Sequence, residues 1–200
     1  MAKQRSIANQ RVSRIALIFA LSWVLLPVGP APAHAYRLPD SGQTKCYDNA
    51  GNEIACPAPG ERFHGQDGNY SGPQPAYKNN GDGTVTDLNT GLMWQQGDAH
   101  NSSTRTWQQA VDYCAASALA DYHDWRLPSI AELTSIVDHS RTNPAINTTY
   151  FPGCRSGNYW SGTTVAAYPY DAWDVYFYHG YDDWDYKGYY YYVRCVRGGP

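Results

Sequence analysis

Ten of the chain's 18 tyrosines lie between Tyr168 and Tyr192, and five aspartates are set among them. Phenols and carboxylates at this density suit recognition rather than bond breaking. Tyr offers rigid contact area at low entropic cost and Asp offers directed hydrogen bonds, the balance found in an antibody paratope. The candidate ligand-binding residues are Asp174, Tyr176, Tyr178, His179, Tyr181, Asp183, Asp185, Tyr186, Tyr189, Tyr190 and Tyr191. Trp173, Val175 and Phe177 alternate with Asp174, Tyr176 and Tyr178, which predicts a strand with one apolar face and one polar, aromatic face. The turn His179-Gly180 follows, then Tyr181 to Tyr186, then Lys187-Gly188. A closing strand is expected over Tyr189 to Arg197, with Val193 and Cys195 on one face. Exposed aromatic area of this extent marks a binding site more often than an idle sheet.

The other reactive side chains form no catalytic pattern. His34, His64, His100, His123, His139 and His179 stand in no HExxH or H-x-E spacing, Ser161 lacks a G-x-S-x-G setting, and no phosphate-binding glycine loop is present. The chain therefore reads as a non-enzyme, with no catalytic residue, no metal ligand set and no resident cofactor. Calcium is compatible with the loop carboxylates, but Asn80 to Asn89 lacks the closing Glu of an EF-hand and reads as turn chemistry. Asp182, Asp183 and Asp185 read as a solvated acidic edge.

Several elements must position the tyrosine-rich stretch. Residues 1–35 carry Lys3, Arg5, Arg11 and Arg14, an apolar run from Ile15 to Leu26, and the small-x-small site Ala33-His34-Ala35. This is the pattern of a cleaved secretory signal peptide, with Tyr36 opening the mature chain and no stable membrane span left behind. The signal holds four of the 15 basic residues and none of the 18 acidic ones, so the remainder has eleven against 18, a formal charge of −7. Such a chain is a poor partner for nucleic acid or other polyanions. Export to the periplasm, cell surface or exterior makes disulfides the default for Cys46, Cys56, Cys114, Cys154 and Cys195. With an odd count, Cys154 is the expected free thiol.

Residues 36–79 are rich in Pro and Gly and lack periodicity; Cys46 and Cys56 bracket a turn and predict a locally stapled hairpin. The domain proper is expected over 80–200. Thr84 to Asp87 and Leu92 to Trp94 read as a strand pair between turns. Thr106 with Gln109, and Ser129 with Glu132, have capping-box spacing and open two helices. Trp107, Val111, Cys114 and Ala118 line the first helix; Ile130, Leu133, Ile136 and Val137 line the second. Tyr159 to Thr164 is the next strand. The order gives an α+β fold, two helices packed on antiparallel sheet, in which Cys195 can meet Cys114 and tie the chain's end to its middle.

NGDGTVTDLNTGLMWQ, TWQQAVDYC, DWRLPSIAEL, YWSGTT and YYVRCVRGG, in that order from Asn80 to Gly199, resemble the Lcl C-terminal domain family, the C-terminal domain of a bacterial collagen-like adhesin. The resemblance implies a C-type-lectin-like fold with a disulfide from first helix to last strand, matching Cys114 and Cys195. It also implies an exported adhesin- or receptor-like domain with a protein or glycan ligand. The EPN and QPD triplets of calcium-dependent lectins are absent. Arg126 to Leu133 is similar to the second-helix signature of formylglycine-generating-enzyme-like domains, so an enzyme of that kind is one alternative and a structural envelope or surface protein another. The tail from Asp171 to Arg197 resembles the variable region of retroelement-diversified proteins, in which Tyr, Asp and His arise from AAC codons; Trp184 departs from that pattern.

Overall fold

A computed structural model describes residues 39–97 and 103–198; the expected signal segment lies outside them. In chain order the elements are β1 (Cys46–Tyr47), β2 (Glu53–Ile54), β3 (Tyr77–Asn79), β4 (Thr84–Asp87), β5 (Met93–Gln95), α1 (Trp107–Ala115), α2 (Ile130–Thr134), β6 (Asn158–Thr164), β7 (Asp171–Tyr176), β8 (Tyr181–Tyr186) and β9 (Val196–Arg197). The fold is α+β. Three antiparallel sheets have the orders β1-β2, β3-β4-β5-β9 and β6-β7-β8. Among the described residues no helix is long and apolar enough to cross a membrane.

The small hairpin β1-β2 is closed by the Cys46–Cys56 disulfide, and the Asp48 carboxylate holds its turn by accepting the backbone N–H groups of Ala50 and Asn52. The segment before residue 80 is more than a linker. β3 pairs in register with β4, and Asn89 Nδ2 donates to the Gln74 carbonyl at 2.8 Å. The expected boundary at residue 79 therefore falls inside a sheet.

Both helices start where their caps require. Thr106 and Gln109 exchange side-chain and backbone hydrogen bonds, as do Ser129 and Glu132, so each helix begins with two otherwise orphaned N–H groups satisfied. Arg126 grips Glu132 with two hydrogen bonds of 2.7 and 2.6 Å and also donates to the Gly198 carbonyl. Burial of Glu132 works to raise its pKa, yet the Arg126 and Ser129 donors outweigh it and hold the carboxyl below its usual value. α2 is shorter than its apolar spacing predicts. Thr134 Oγ1 bonds back to the Ile130 carbonyl, the helix ends there, and Ile136 and Val137 enter the core from the following turn. α1 likewise ends at Ala115, leaving Ala118 exposed rather than on its buried face.

The sheet β6-β7-β8 divides two apolar cores. Tyr159, Val175 and Phe177 pack with Leu133, Ile136, Phe151 and Trp94 in one. Trp160 and Ala172 pack with Ala110, Cys114, Trp125 and Val193 in the other. Neighbouring residues of β6 thus point into different cores, as the period of two demands. Trp107 Nε1 donates to the Ser161 carbonyl and Trp160 Nε1 to the Arg105 carbonyl, both at 2.9 Å, fixing α1 against β6. The disulfide Cys114–Cys195 spans 81 residues and ties α1 to the chain's end.

The expected last strand over Tyr189 to Arg197 is mostly not one. It consists of the two-residue β9 and isolated bridges at Tyr191 and Tyr192. The cause is Arg194, which turns inward. Its Nη1 donates to the carbonyls of Gln95 and Gln96 at 2.7 and 2.6 Å, and its guanidinium lies 5.0 Å from the Phe151 ring centre. Val193, Arg194, Cys195 and Val196 are all buried, so no alternation survives.

Candidate functional site

β7 and β8 form one hairpin with an unbroken register from Asp171↔Tyr186 to Tyr176↔Tyr181. Its loop runs from Phe177 to Gly180 and closes on a backbone that only glycine adopts easily. Gly180 has φ +86°, and a Cβ there would sit 2.6 Å from Val137 Cγ1. Cross-strand partners share a face. Tyr176/Tyr181, Asp174/Asp183 and Ala172/Asp185 therefore lie on one side, and Val175/Asp182, Trp173/Trp184 and Asp171/Tyr186 on the other. β7 is covered by its neighbours, whereas β8 is the free edge and is exposed along nearly its whole length.

The predicted residues fall into two aromatic groups joined by the aspartates of β8. At the hairpin loop, Tyr176 and Tyr178 stack with ring centres 5.9 Å apart, Tyr178 meets His179 at 4.5 Å, and Tyr176 meets Tyr181 at 5.3 Å. At the opposite end, Tyr186 meets Tyr189 at 6.0 Å, Tyr189 meets Tyr191 at 6.3 Å, and Tyr191 rests on the buried Trp160 at 4.6 Å. His179, Tyr181, Asp183, Tyr186, Tyr189 and Tyr190 are exposed; Tyr176, Tyr178, Asp185 and Tyr191 are half-buried.

Asp174 is the correction. Alternation predicts it on the open face, but it is fully buried. Its face is closed by Trp160 and Tyr191, which the first helix and the chain's end press against the sheet. Oδ1 accepts from Asn158 Nδ2 at 2.7 Å, and Oδ2 has no partner. Burial pushes its pKa up to about 7; Asn158 opposes that shift, and the nearby carboxylates of Asp185, Asp183 and Asp182 reinforce it. Tyr191 donates to Asp185 Oδ2 at 2.6 Å, and burial, then this bond to a carboxylate, raises its own pKa.

Three further aromatic residues belong to the surface. Trp184 is exposed and meets the half-buried Trp173 edge-on at 5.3 Å; Tyr168 and Tyr170 are exposed in the loop before β7. The signal for Trp184 was its place opposite Trp173 across a symmetric hairpin. Lys187, the nearest basic residue, is committed elsewhere. Its Nζ lies 4.2 Å from the Trp107 ring centre and donates to Thr164 Oγ1 and the Pro169 carbonyl.

Residues 83–197, a span that contains both helices, this hairpin and both ends of the long-range disulfide, match the family model of the Lcl C-terminal domain. The chain belongs to the Lcl C-terminal domain family. No curated protein matches it. Within the Lcl C-terminal domain the candidate surface sits in the last third of the match, from the loop before β7 to the residues that follow β8. The free thiol Cys154 is buried in the core, 3.5 Å from the Tyr159 hydroxyl.

Proposed function

We propose that this protein is an exported, non-catalytic binding domain of adhesin or receptor type, and that the exposed side chains from Tyr168 to Tyr190 are its ligand surface. One observation carries the reading. Among the described residues, ten large apolar or aromatic side chains are exposed, and seven of them fall in this stretch: Tyr168, Tyr170, Tyr181, Trp184, Tyr186, Tyr189 and Tyr190. Random exposure would scatter them; concentration on one edge hairpin and its flanking loops marks recognition. The buried Trp160, Val175 and Phe177 behind the hairpin make the surface rigid, so little entropy is lost on binding.

The two disulfides and the family support export to an oxidising compartment through the N-terminal signal-like segment. The bond from α1 to the chain's end, with two helices against antiparallel sheets, supports a C-type-lectin-like reading of the fold. The ligand class is protein or glycan. The test is replacement of Tyr181, Trp184, Tyr189 and Tyr190 by Ala, with binding read on immobilised peptide and glycan arrays and folding by circular dichroism. The reading predicts saturable binding by the parent that the folded variant loses. Equal binding by both places the ligand surface elsewhere.

A further inference from the structure

From Ser156 to Tyr186 the chain contains five aspartates and no lysine or arginine. The register brings three of these carboxylates, Asp174, Asp183 and Asp185, to the same side of the hairpin as Tyr181. No ion pair among the described residues involves Asp182, Asp183 or Asp185. The one adjoining ammonium, Lys187, is turned onto Trp107, and His179 stands at the loop beside Tyr176 and Tyr181. On the same side as the exposed Asp183 and the half-buried Asp185 lies Asp174, fully buried under Trp160 and Tyr191, with one oxygen unpartnered. Asp183 and Asp185 thus set a negative potential that no ion pair on the hairpin neutralises.

We propose that this side of the hairpin seats the basic side chains, arginine or lysine, of a protein partner, with Asp183 and Asp185 as counter-charges and the Tyr181 ring as a wall. The inference rests on the ligand surface proposed above and specifies what that surface takes. A calcium ion needs six or more oxygen ligands at about 2.3–2.6 Å. Among the described residues no group of three or more His, Cys, Asp or Glu is placed to hold a metal. A guanidinium or ammonium on a flexible stem bridges wider gaps and gains further from an aromatic face. A sulfated or other anionic glycan meets repulsion here. A neutral glycan stacks on the rings but leaves the carboxylates uncompensated.

The test uses the whole chain over immobilised peptides of matched length that carry arginine, lysine, the neutral arginine isostere citrulline, or glutamate, with mannan as a neutral glycan. Arginine and lysine peptides should be held at least about tenfold more tightly than citrulline peptides, and their binding should weaken as salt rises from about 50 to 200 mM. Asp183→Asn with Asp185→Asn keeps the acceptors for Trp184 N–H and the Tyr191 hydroxyl and should abolish the difference. Equal or absent retention of basic and citrulline peptides, or a preference that survives the double variant, overturns the proposal. Mannan or citrulline binding that is lost only with Tyr181, Trp184, Tyr189 and Tyr190 replaced by Ala overturns it while leaving the ligand surface standing. Binding that survives that fourfold variant too overturns both.

Discussion

Asp174→Asn should stabilise this protein, and only above mildly acidic pH. The carboxyl has an ordinary pKa of 3.8 and is pushed up to about 7 in the fold, so the folded state binds its proton more tightly than the unfolded chain does. The sign follows from linkage. At low pH, where both states are protonated, the group costs nothing. Between the two pKa values stability falls as pH rises, and above about 7 the full cost of a buried, ionised carboxylate is present. A difference of about 3 units at about 1.4 kcal/mol each sets that cost at about 4 kcal/mol. Asparagine keeps the acceptor for Asn158 and puts an NH2 donor where Oδ2 finds no partner, beside the Asp183 and Asp185 carboxylates. In urea unfolding at pH 8 the variant should gain up to about 4 kcal/mol, a midpoint shift of about 2 M for a slope of roughly 2 kcal/mol/M. At pH 4 the two proteins should nearly coincide. A gain independent of pH, or a loss of stability at pH 8, would refute the reasoning.

Other substitutions have equally definite outcomes. Replacing Cys114 and Cys195 by Ala opens a cross-link across 81 residues and should cost about 4–5 kcal/mol in the chain-entropy account, read by urea unfolding under matched conditions. Gly180→Ala places a Cβ against Val137 and Ala145 at φ +86° and should cost about 1–3 kcal/mol, seen as a lower thermal midpoint. Cys154 should resist alkylation by iodoacetamide in the native state and react fully in denaturant, because its thiol is buried beside Tyr159.

Local features were legible in the sequence and distant ones were not. The capping boxes at Thr106 and Ser129 and the hairpin loop at Gly180 are set by residues within a few positions of one another, and each stands where its pattern put it. Alternation along β7 identified which residues share a face but not what covers that face. Trp160, α1 and Tyr191 close over Asp174 from segments 14 or more residues away, so a carboxylate that alternates with apolar neighbours is buried all the same. Arg194 misled for the same reason: nothing near it signals that the carbonyls of Gln95 and Gln96 wait to receive it. Trp184 lies exposed because β8 is an edge strand, a property of sheet order and not of its own sequence.

The most direct measurement is residue-resolved tyrosine nitration of the whole chain, free and saturated with the best-retained array probe. Tyr181, Tyr186, Tyr189 and Tyr190 should all react in the free protein and be protected in the complex, while Tyr70 and Tyr122, exposed elsewhere, react equally in both. Protection at Tyr70 or Tyr122 with none on β8 and the residues after it would contradict the account.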